Sequence, residues 1–97
     1  MLQIKWTDEA RYEDLPRLMR YKAASSGDEA ANDLAYGLIT FIDTLPDNPR
    51  VWRQMKQFTE EVRRAFWDSY EVRYEIDEVA GLLIVLRLFS QREDRET

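Results

Sequence analysis

The spacing of the apolar residues differs between the two halves of this chain, and that difference restricts the fold class. Over residues 30–45 the apolar side chains recur every three or four positions, which is the period of an amphipathic helix. From Glu60 onward apolar and polar residues alternate, which is the period of a strand with one buried face. A chain with helices first and most of its strands afterwards is predicted to be an α+β protein.

Two helices are predicted in the first half, after a short strand over residues 2–6. The first helix should cover residues 9–24. Pro16 should kink or break it, because a proline ring clashes with the carbonyl group of the preceding helical turn. The second helix should cover residues 30–45. Helices joined by so short a connection are expected to form an antiparallel hairpin.

Three further strands are predicted over residues 60–67, 70–76 and 82–89. The last is apolar at both alternating positions except at Arg87, which is typical of a strand covered on both faces. The predicted architecture is β-α-α-β-β-β, a helical hairpin on one face of a mainly antiparallel four-stranded sheet, in a single domain over residues 1–97. The pattern leaves open which strand pairs with the first one. The side chains predicted to face the helices are Tyr70, Val72, Tyr74 and Ile76.

The composition excludes several kinds of chemistry. The 97 residues include no cysteine and no histidine, so disulfides, thiolate sites and imidazole catalysis are absent. No metal or cofactor is therefore expected. The chain has 19 acidic and 14 basic residues, for a net charge of -5, which argues against direct nucleic-acid binding. The longest apolar run is far shorter than the roughly 18 residues of a membrane span, so a cytoplasmic protein without membrane contact is expected.

Two segments in the strand region resemble the RelE/ParE toxin superfamily. Residues 61–76 contain an arginine-rich strand, a tight turn and a Tyr-x-x-x-Tyr pattern, and residues 85–95 contain Leu-Arg-Leu-Phe followed by charged residues. The first half of the chain matches the family more loosely. One position departs from the pattern, because Ser90 stands where many relatives have a histidine.

The resemblance implies a growth-inhibiting toxin of a type II toxin–antitoxin module. Its partner would be a cognate antitoxin, a small protein with a disordered, helix-forming tail that holds the toxin inactive. ParE-like members inhibit DNA gyrase by binding it, whereas RelE-like members cleave messenger RNA on the ribosome. A third possibility is a degenerate member that keeps the fold and the antitoxin contact but is no longer toxic.

The residues favour the ParE-like alternative. Cleaving RNA requires a base, an acid and cations for the phosphate. No tyrosine follows Tyr74, and residues 60–97 contain six arginines against ten carboxylates, a field that repels RNA. A protein-binding toxin without a catalytic residue is therefore preferred, although Glu71 or Glu75 could act as a base in the enzymatic alternative.

Three strand arginines are candidates for binding the target or the antitoxin: Arg64, Arg73 and Arg87. With a two-residue turn at 68–69, Arg64 lies directly across from Arg73. The alternative interpretation is structural, with Glu71 and Glu75 neutralising the arginines in a ladder. In this structural interpretation Arg87 pairs with Glu71 or Glu75. Val85 and Phe89 are expected to lie on the same side of the strand as Arg87.

Three further candidates lie outside the strands. Arg92 and Arg95 belong to a charged C-terminal tail, which is either a solvated segment or a contact with the target. Trp52 lies in the irregular connection over residues 50–59, where an exposed aromatic side chain could bind a partner.

Overall fold

The computed structural model describes residues 1–93, in which two α-helices pack against a four-stranded sheet. The strands are β1 (Gln3–Trp6), β2 (Val62–Trp67), β3 (Tyr70–Asp77) and β4 (Leu82–Ser90). The helices are α1 (Leu15–Ser26) and α2 (Asp28–Thr44), with a π-helical segment over Glu9–Asp14 and a short 3₁₀ turn over Leu45–Asp47. The predicted α+β architecture and element order are confirmed.

The strand order is β1-β4-β3-β2, with β1 parallel to β4 and the other two pairings antiparallel. The sheet is therefore mixed and mainly antiparallel, as predicted. The partner of the first strand, which the sequence pattern left open, is the last strand. No helix within residues 1–93 is both long and apolar enough to cross a membrane.

The π-helical segment over Glu9–Asp14 connects β1 to α1. The backbone amide of Ala10 donates to the hydroxyl oxygen of Thr7 at 3.1 Å, so the Thr7 side chain caps a free amide in the first turn of this segment. The π-helical segment then ends where α1 begins, with Pro16 in the first turn of α1. The amide of Leu15 donates to the carbonyl of Ala10, five residues back, and Pro16 has no N–H with which to continue this π-helical ladder. The sequence predicts a kink or a break at Pro16, and the structure shows instead a change from π- to α-helical hydrogen bonding, with Asp14 and Leu15 both in the right-handed helical conformation.

The core lies between the helices and one face of the sheet. Val72, Tyr74 and Ile76 are buried with the α2 stripe, and Tyr70 packs against them half-buried. The buried residues of that stripe are Ala31, Leu34, Leu38 and Ile42. The predicted register of β3 is thus confirmed, with its charged residues on the face opposite the helices.

A β-bulge changes the alternation in β4. Arg73 is opposite Arg87, but the next residue, Tyr74, is opposite Val85, so Leu86 is an extra residue in β4. Val85 is fully buried in the core, whereas Arg87 lies on the other face. The prediction that Val85 and Arg87 share a side of the strand is therefore wrong, because the bulge reverses the alternation between them.

Candidate functional site

Three arginines form a row across the face of the sheet that the helices leave uncovered. Arg64 in β2 is opposite Arg73 in β3, and Arg73 is opposite Arg87 in β4. Directly opposed residues of antiparallel strands share a face, so the three guanidinium groups lie side by side. We call these three residues the arginine row. Because like charges directly opposite each other repel, the row requires counter-charges.

Glu71 supplies the counter-charge for two members of the row. Its carboxylate is fully buried and accepts hydrogen bonds from Arg73 Nε at 2.7 Å and from Arg64 Nη2 at 3.1 Å. This is the predicted structural ladder, formed by one of its two glutamates. Within residues 1–93 no ion pair joins Glu75 to the row. The pKa of Glu75 is raised by burial and by the charges of Glu60 and Asp77.

The third member of the row has a different partner from the predicted one. Arg87 donates through Nε to Oδ2 of Asp14 at 2.8 Å and through Nη2 to Oδ1 at 3.2 Å. A looser ion pair with Glu9 spans 3.6 Å. The pairing of Arg87 with Glu71 or Glu75 that the structural interpretation contained is therefore wrong. The π-helical segment brings Asp14 to the edge of β4, and sequence reasoning missed this residue because it lies 73 positions away along the chain.

Asp14 closes the edge of β4 where β1 has ended. The last pairing of β1 is Trp6 with Val85, and beyond it the amide of Leu88 donates to Asp14 Oδ2 at 2.8 Å. Arg17 donates both to Asp14 Oδ1 at 2.7 Å and to the carbonyl of Leu88 at 2.9 Å. Side chains thus satisfy the backbone groups of the part of β4 that extends past the end of β1 and would otherwise be an open edge.

The surroundings of Asp14 also determine its protonation. Burial raises the pKa of this carboxyl, but hydrogen bonds from Arg87, Arg17 and the amide of Leu88 outweigh burial, and the pKa lies below its ordinary value. Asp14 is consequently a carboxylate at neutral pH. The pKa of Arg87 is raised, first by its hydrogen bond to Asp14, so the pair is a fixed ion pair.

Arg73 is the most enclosed member of the row. Its side chain is 8% exposed, and its Cζ lies 4.8 Å from the ring centre of Phe89. Arg87 lies 4.7 Å from the same ring, and Arg64 lies 5.1 Å from the ring of Phe66. These are cation–π distances.

Two donors in the row are buried without an acceptor among residues 1–93. They are Nη2 of Arg73 and Nε of Arg64. Leaving a buried donor unsatisfied costs about 1–3 kcal/mol, and more for a charged group. Such a cost in two adjacent buried side chains calls for an explanation, because buried donors are normally paired.

The family follows from comparison with known proteins. Residues 4–95 match the family described as the ParE toxin of the type II toxin–antitoxin system, parDE. The chain belongs to the ParE toxin family. No curated protein matches the chain at a significant level. A solved structure titled "Chromosomal ParDE TA system from P. aeruginosa" is similar, with a TM-score of 0.77 at 16% identity, covering 93% of this chain and 96% of that one. At this low identity the likeness shows the fold.

In this ParE-family chain Trp52 is not the exposed aromatic residue that was predicted. It is half-buried, with its ring 6.1 Å from Phe41 and 6.3 Å from Phe66, both edge-on. The cause is a backbone contact nearby, where the amide of Met55 donates to the carbonyl of Val62 at 2.7 Å. This contact holds the connection along β2 and brings Trp52 onto the core.

Of the two tail arginines of this ParE-family chain, only Arg92 lies within the described residues, and it is not a member of the arginine row. Arg92 is exposed and lines a cleft of about 760 Å³ between α1 and the β2–β3 turn. The cleft is also lined by Tyr21, Lys22 and Tyr70. Arg95 lies outside the described residues. Within residues 1–93, no group of three or more acidic side chains is arranged to hold a metal ion.

Proposed function

We propose that this toxin acts in the cytoplasm by binding and inhibiting DNA gyrase, and that a cognate antitoxin neutralises it. The observation that carries the proposal is the family match over residues 4–95. The similarity to a chain from a ParDE toxin–antitoxin system supports the antitoxin part of this proposal.

The chemistry of the arginine row favours binding over catalysis. Arginine stays protonated in proteins and therefore cannot transfer protons at neutral pH. Asp14, which pairs with Arg87, is held as a carboxylate by its lowered pKa and is therefore not a general acid. The row is thus a set of fixed charges, which suits recognition of a charged group on another protein.

The exposed ends of the row are the parts that a partner meets first. The side chain of Arg64 is 33% exposed and that of Arg87 is 34% exposed. Arg87 presents a planar guanidinium already oriented by Asp14, so little side-chain entropy is lost when it binds. We assign the target contact to these two side chains, with Arg92 at the neighbouring cleft and Arg95 in the tail as further contacts.

The test is a DNA supercoiling assay with purified gyrase and the purified full chain. We expect the chain to inhibit supercoiling and the cognate antitoxin to restore it. Arg87→Met should stay folded, because Asp14 keeps its hydrogen bonds to Arg17 and Leu88, but it should inhibit at least about tenfold less. Arg87→Lys should rescue poorly, since an ammonium lacks the planar fork. Arg20→Met, at an exposed position of α1, is the matched control.

The outcomes separate the three alternatives. Undiminished inhibition by folded Arg87→Met would remove Arg87 from the contact. Failure of the parent chain to inhibit gyrase, together with cleavage of messenger RNA on ribosomes, would establish the RelE-like activity instead. Failure in both assays with antitoxin binding intact would identify a member that has lost its toxicity.

A further inference from the structure

We propose that Arg64 and Arg73 form a receptor for one carboxylate, an aspartate or glutamate side chain on the protein that this toxin binds. The proposal rests on the proposed function, because it specifies the chemistry by which the sheet face recognises its target. Its physical basis is a shortage of acceptors at two adjacent guanidinium groups.

The first observation is that both residues carry an unpaired donor. Nη2 of Arg73 and Nε of Arg64 are buried and have no hydrogen-bond acceptor within the part of the chain that the structure describes. The side chain of Arg73 is 8% exposed, and Glu71 binds its Nε at 2.7 Å, so the orientation of this guanidinium is set by Glu71. A buried, oriented and unpaired donor is a binding group prepared for an acceptor.

The second observation is that the two guanidinium groups share a single carboxylate. Glu71 is the one described carboxylate hydrogen-bonded to Arg64 and Arg73, which are directly opposed on neighbouring strands. Two cations side by side with one hydrogen-bonded anion attract a second anion. The aromatic rings of Phe66 and Phe89 lie 5.1 and 4.8 Å from these guanidinium groups, and an apolar surrounding strengthens such an interaction.

The third observation concerns access. The side chain of Arg64 is one-third exposed, so an approaching carboxylate meets Arg64 first, and a movement of this side chain would open the way to the two buried donors. The planar fork of arginine matches the two oxygens of a carboxylate, which gives both strength and orientation.

The surroundings favour one carboxylate over a nucleic-acid backbone. Glu75 lies on the same face of β3, and the whole chain carries a net charge of -5. A chain of phosphates is bound through several unopposed cations, and its affinity depends on the counter-ions that these release. A single acidic side chain needs only the local pair of guanidinium groups.

The experiment is an NMR titration of the ¹⁵N-labelled full chain with sodium acetate at constant ionic strength, following the Nε–Hε signals of the arginines. We expect saturable shifts at Arg64 and Arg73. Arg73→Lys retains a positive charge beside Glu71 but lacks the fork, so it should bind acetate about tenfold more weakly. Arg20→Lys, at an exposed position of α1, should bind acetate like the parent. Arg64→Lys repeats the test at the less buried position if Arg73→Lys does not fold.

Acetate shifts that persist unchanged in the folded lysine variants, or that occur away from these two arginines, would overturn the proposal. Displacement of acetate by a single-stranded RNA oligonucleotide at much lower concentration would also overturn it, in favour of a phosphate site. The titration contains neither gyrase nor antitoxin. Its failure would therefore remove the carboxylate receptor alone, whereas failure of the supercoiling assay would remove the proposed function.

Discussion

The two faces of the sheet are equally enclosed at their centres but are filled by opposite kinds of side chain. On the face that packs against the helices, Val72 and Tyr74 have no exposed surface and lie among apolar residues of α2. On the other face of the same strand, Glu71 has no exposed surface and Arg73, counted as a whole residue, is 6% exposed, although both are charged. Neighbouring residues of β3 are thus buried for different physical reasons.

Because the two faces are filled by different kinds of side chain, substitutions on them should affect stability in different ways. Apolar packing loses stability according to the volume removed or forced in, whichever side chain is altered. Buried ions are stable only as a set, so removing one partner is more damaging than removing both. Four substitutions, in order of decreasing effect, examine this contrast.

The largest effect is expected at Glu71. Glu71→Gln leaves Arg64 and Arg73 without their shared counter-charge, so the free energy of unfolding should fall by about 3–5 kcal/mol. Adding Arg73→Met to this variant should restore much of the loss, because the uncompensated buried cation is removed as well. Urea unfolding of the parent, both single variants and the double variant measures the coupling. A double variant no more stable than Glu71→Gln would contradict the proposed difference between the faces.

The second effect is expected on the helix-covered face at Gly37. A Cβ atom there would lie 2.5 Å from Cη2 of Trp67, whose ring stacks on Tyr70 with 6.2 Å between ring centres. Gly37→Ala should therefore destabilise the fold by about 1–3 kcal/mol through overpacking, despite the better helix propensity of alanine.

Thermal unfolding measures this loss, and Trp67→Phe in the Gly37→Ala background should recover part of it. The smaller side chain at position 67 compensates for the larger one at position 37, and no charge changes. If Gly37→Ala alone raised the melting temperature, the close approach of Trp67 to the α2 backbone would be wrong.

The third effect concerns the hydroxyl group of Tyr74, a polar group on the helix-covered face of the sheet. The hydroxyl of Tyr74 donates to the carbonyl of Pro49 at 2.6 Å, so Tyr74→Phe should cost about 1 kcal/mol. Burial raises the pKa of Tyr74 to about 12, with smaller opposing effects of Arg63 and Glu61. A raised pKa means that this contribution is fully present below the ordinary value of 10 and is lost as the pH rises towards 12.

Chemical denaturation of the parent and Tyr74→Phe at pH 7 and at several values above pH 10 tests both statements, with exposed Tyr36→Phe as the control. The stability difference between parent and variant should shrink above pH 10. A difference that is constant up to pH 12 would show that the hydroxyl does not titrate as described.

The smallest effect is expected at Glu75 and has the opposite sign from that at Glu71. Because burial, Glu60 and Asp77 raise the pKa of Glu75, folding favours its protonated form and the ionised form is unfavourable at neutral pH. Glu75→Gln should therefore stabilise the chain by a few tenths of a kcal/mol at pH 7. The gain should disappear below about pH 4, where the parent glutamate is protonated in both states. Parallel denaturation curves at pH 7 and pH 3.5 measure it, and a destabilised Glu75→Gln variant at pH 7 would refute the assignment.

The sequence predicts those parts of the candidate site that depend on residues close together in the chain. Alternation in β3 and a two-residue turn sufficed to place Arg64 opposite Arg73, because antiparallel register follows from the turn. The same alternation predicted the wrong environment for Arg87. An inserted residue at Leu86 reverses the alternation, and its presence depends on how β4 pairs rather than on its own composition.

By itself, the sequence determined the order of the helices and strands, the helical hairpin, a change in the helix near Pro16 and the face of β3 that packs on the core. Each of these depends on residues close together in the chain, through periodic burial or restricted backbone angles. Only the tertiary structure decided that β1 joins β4, that Asp14 closes the β4 edge and binds Arg87, and that Trp52 packs on the core. These contacts join residues far apart in sequence, and their energies depend on burial and pairing that exist only once the sheet has assembled.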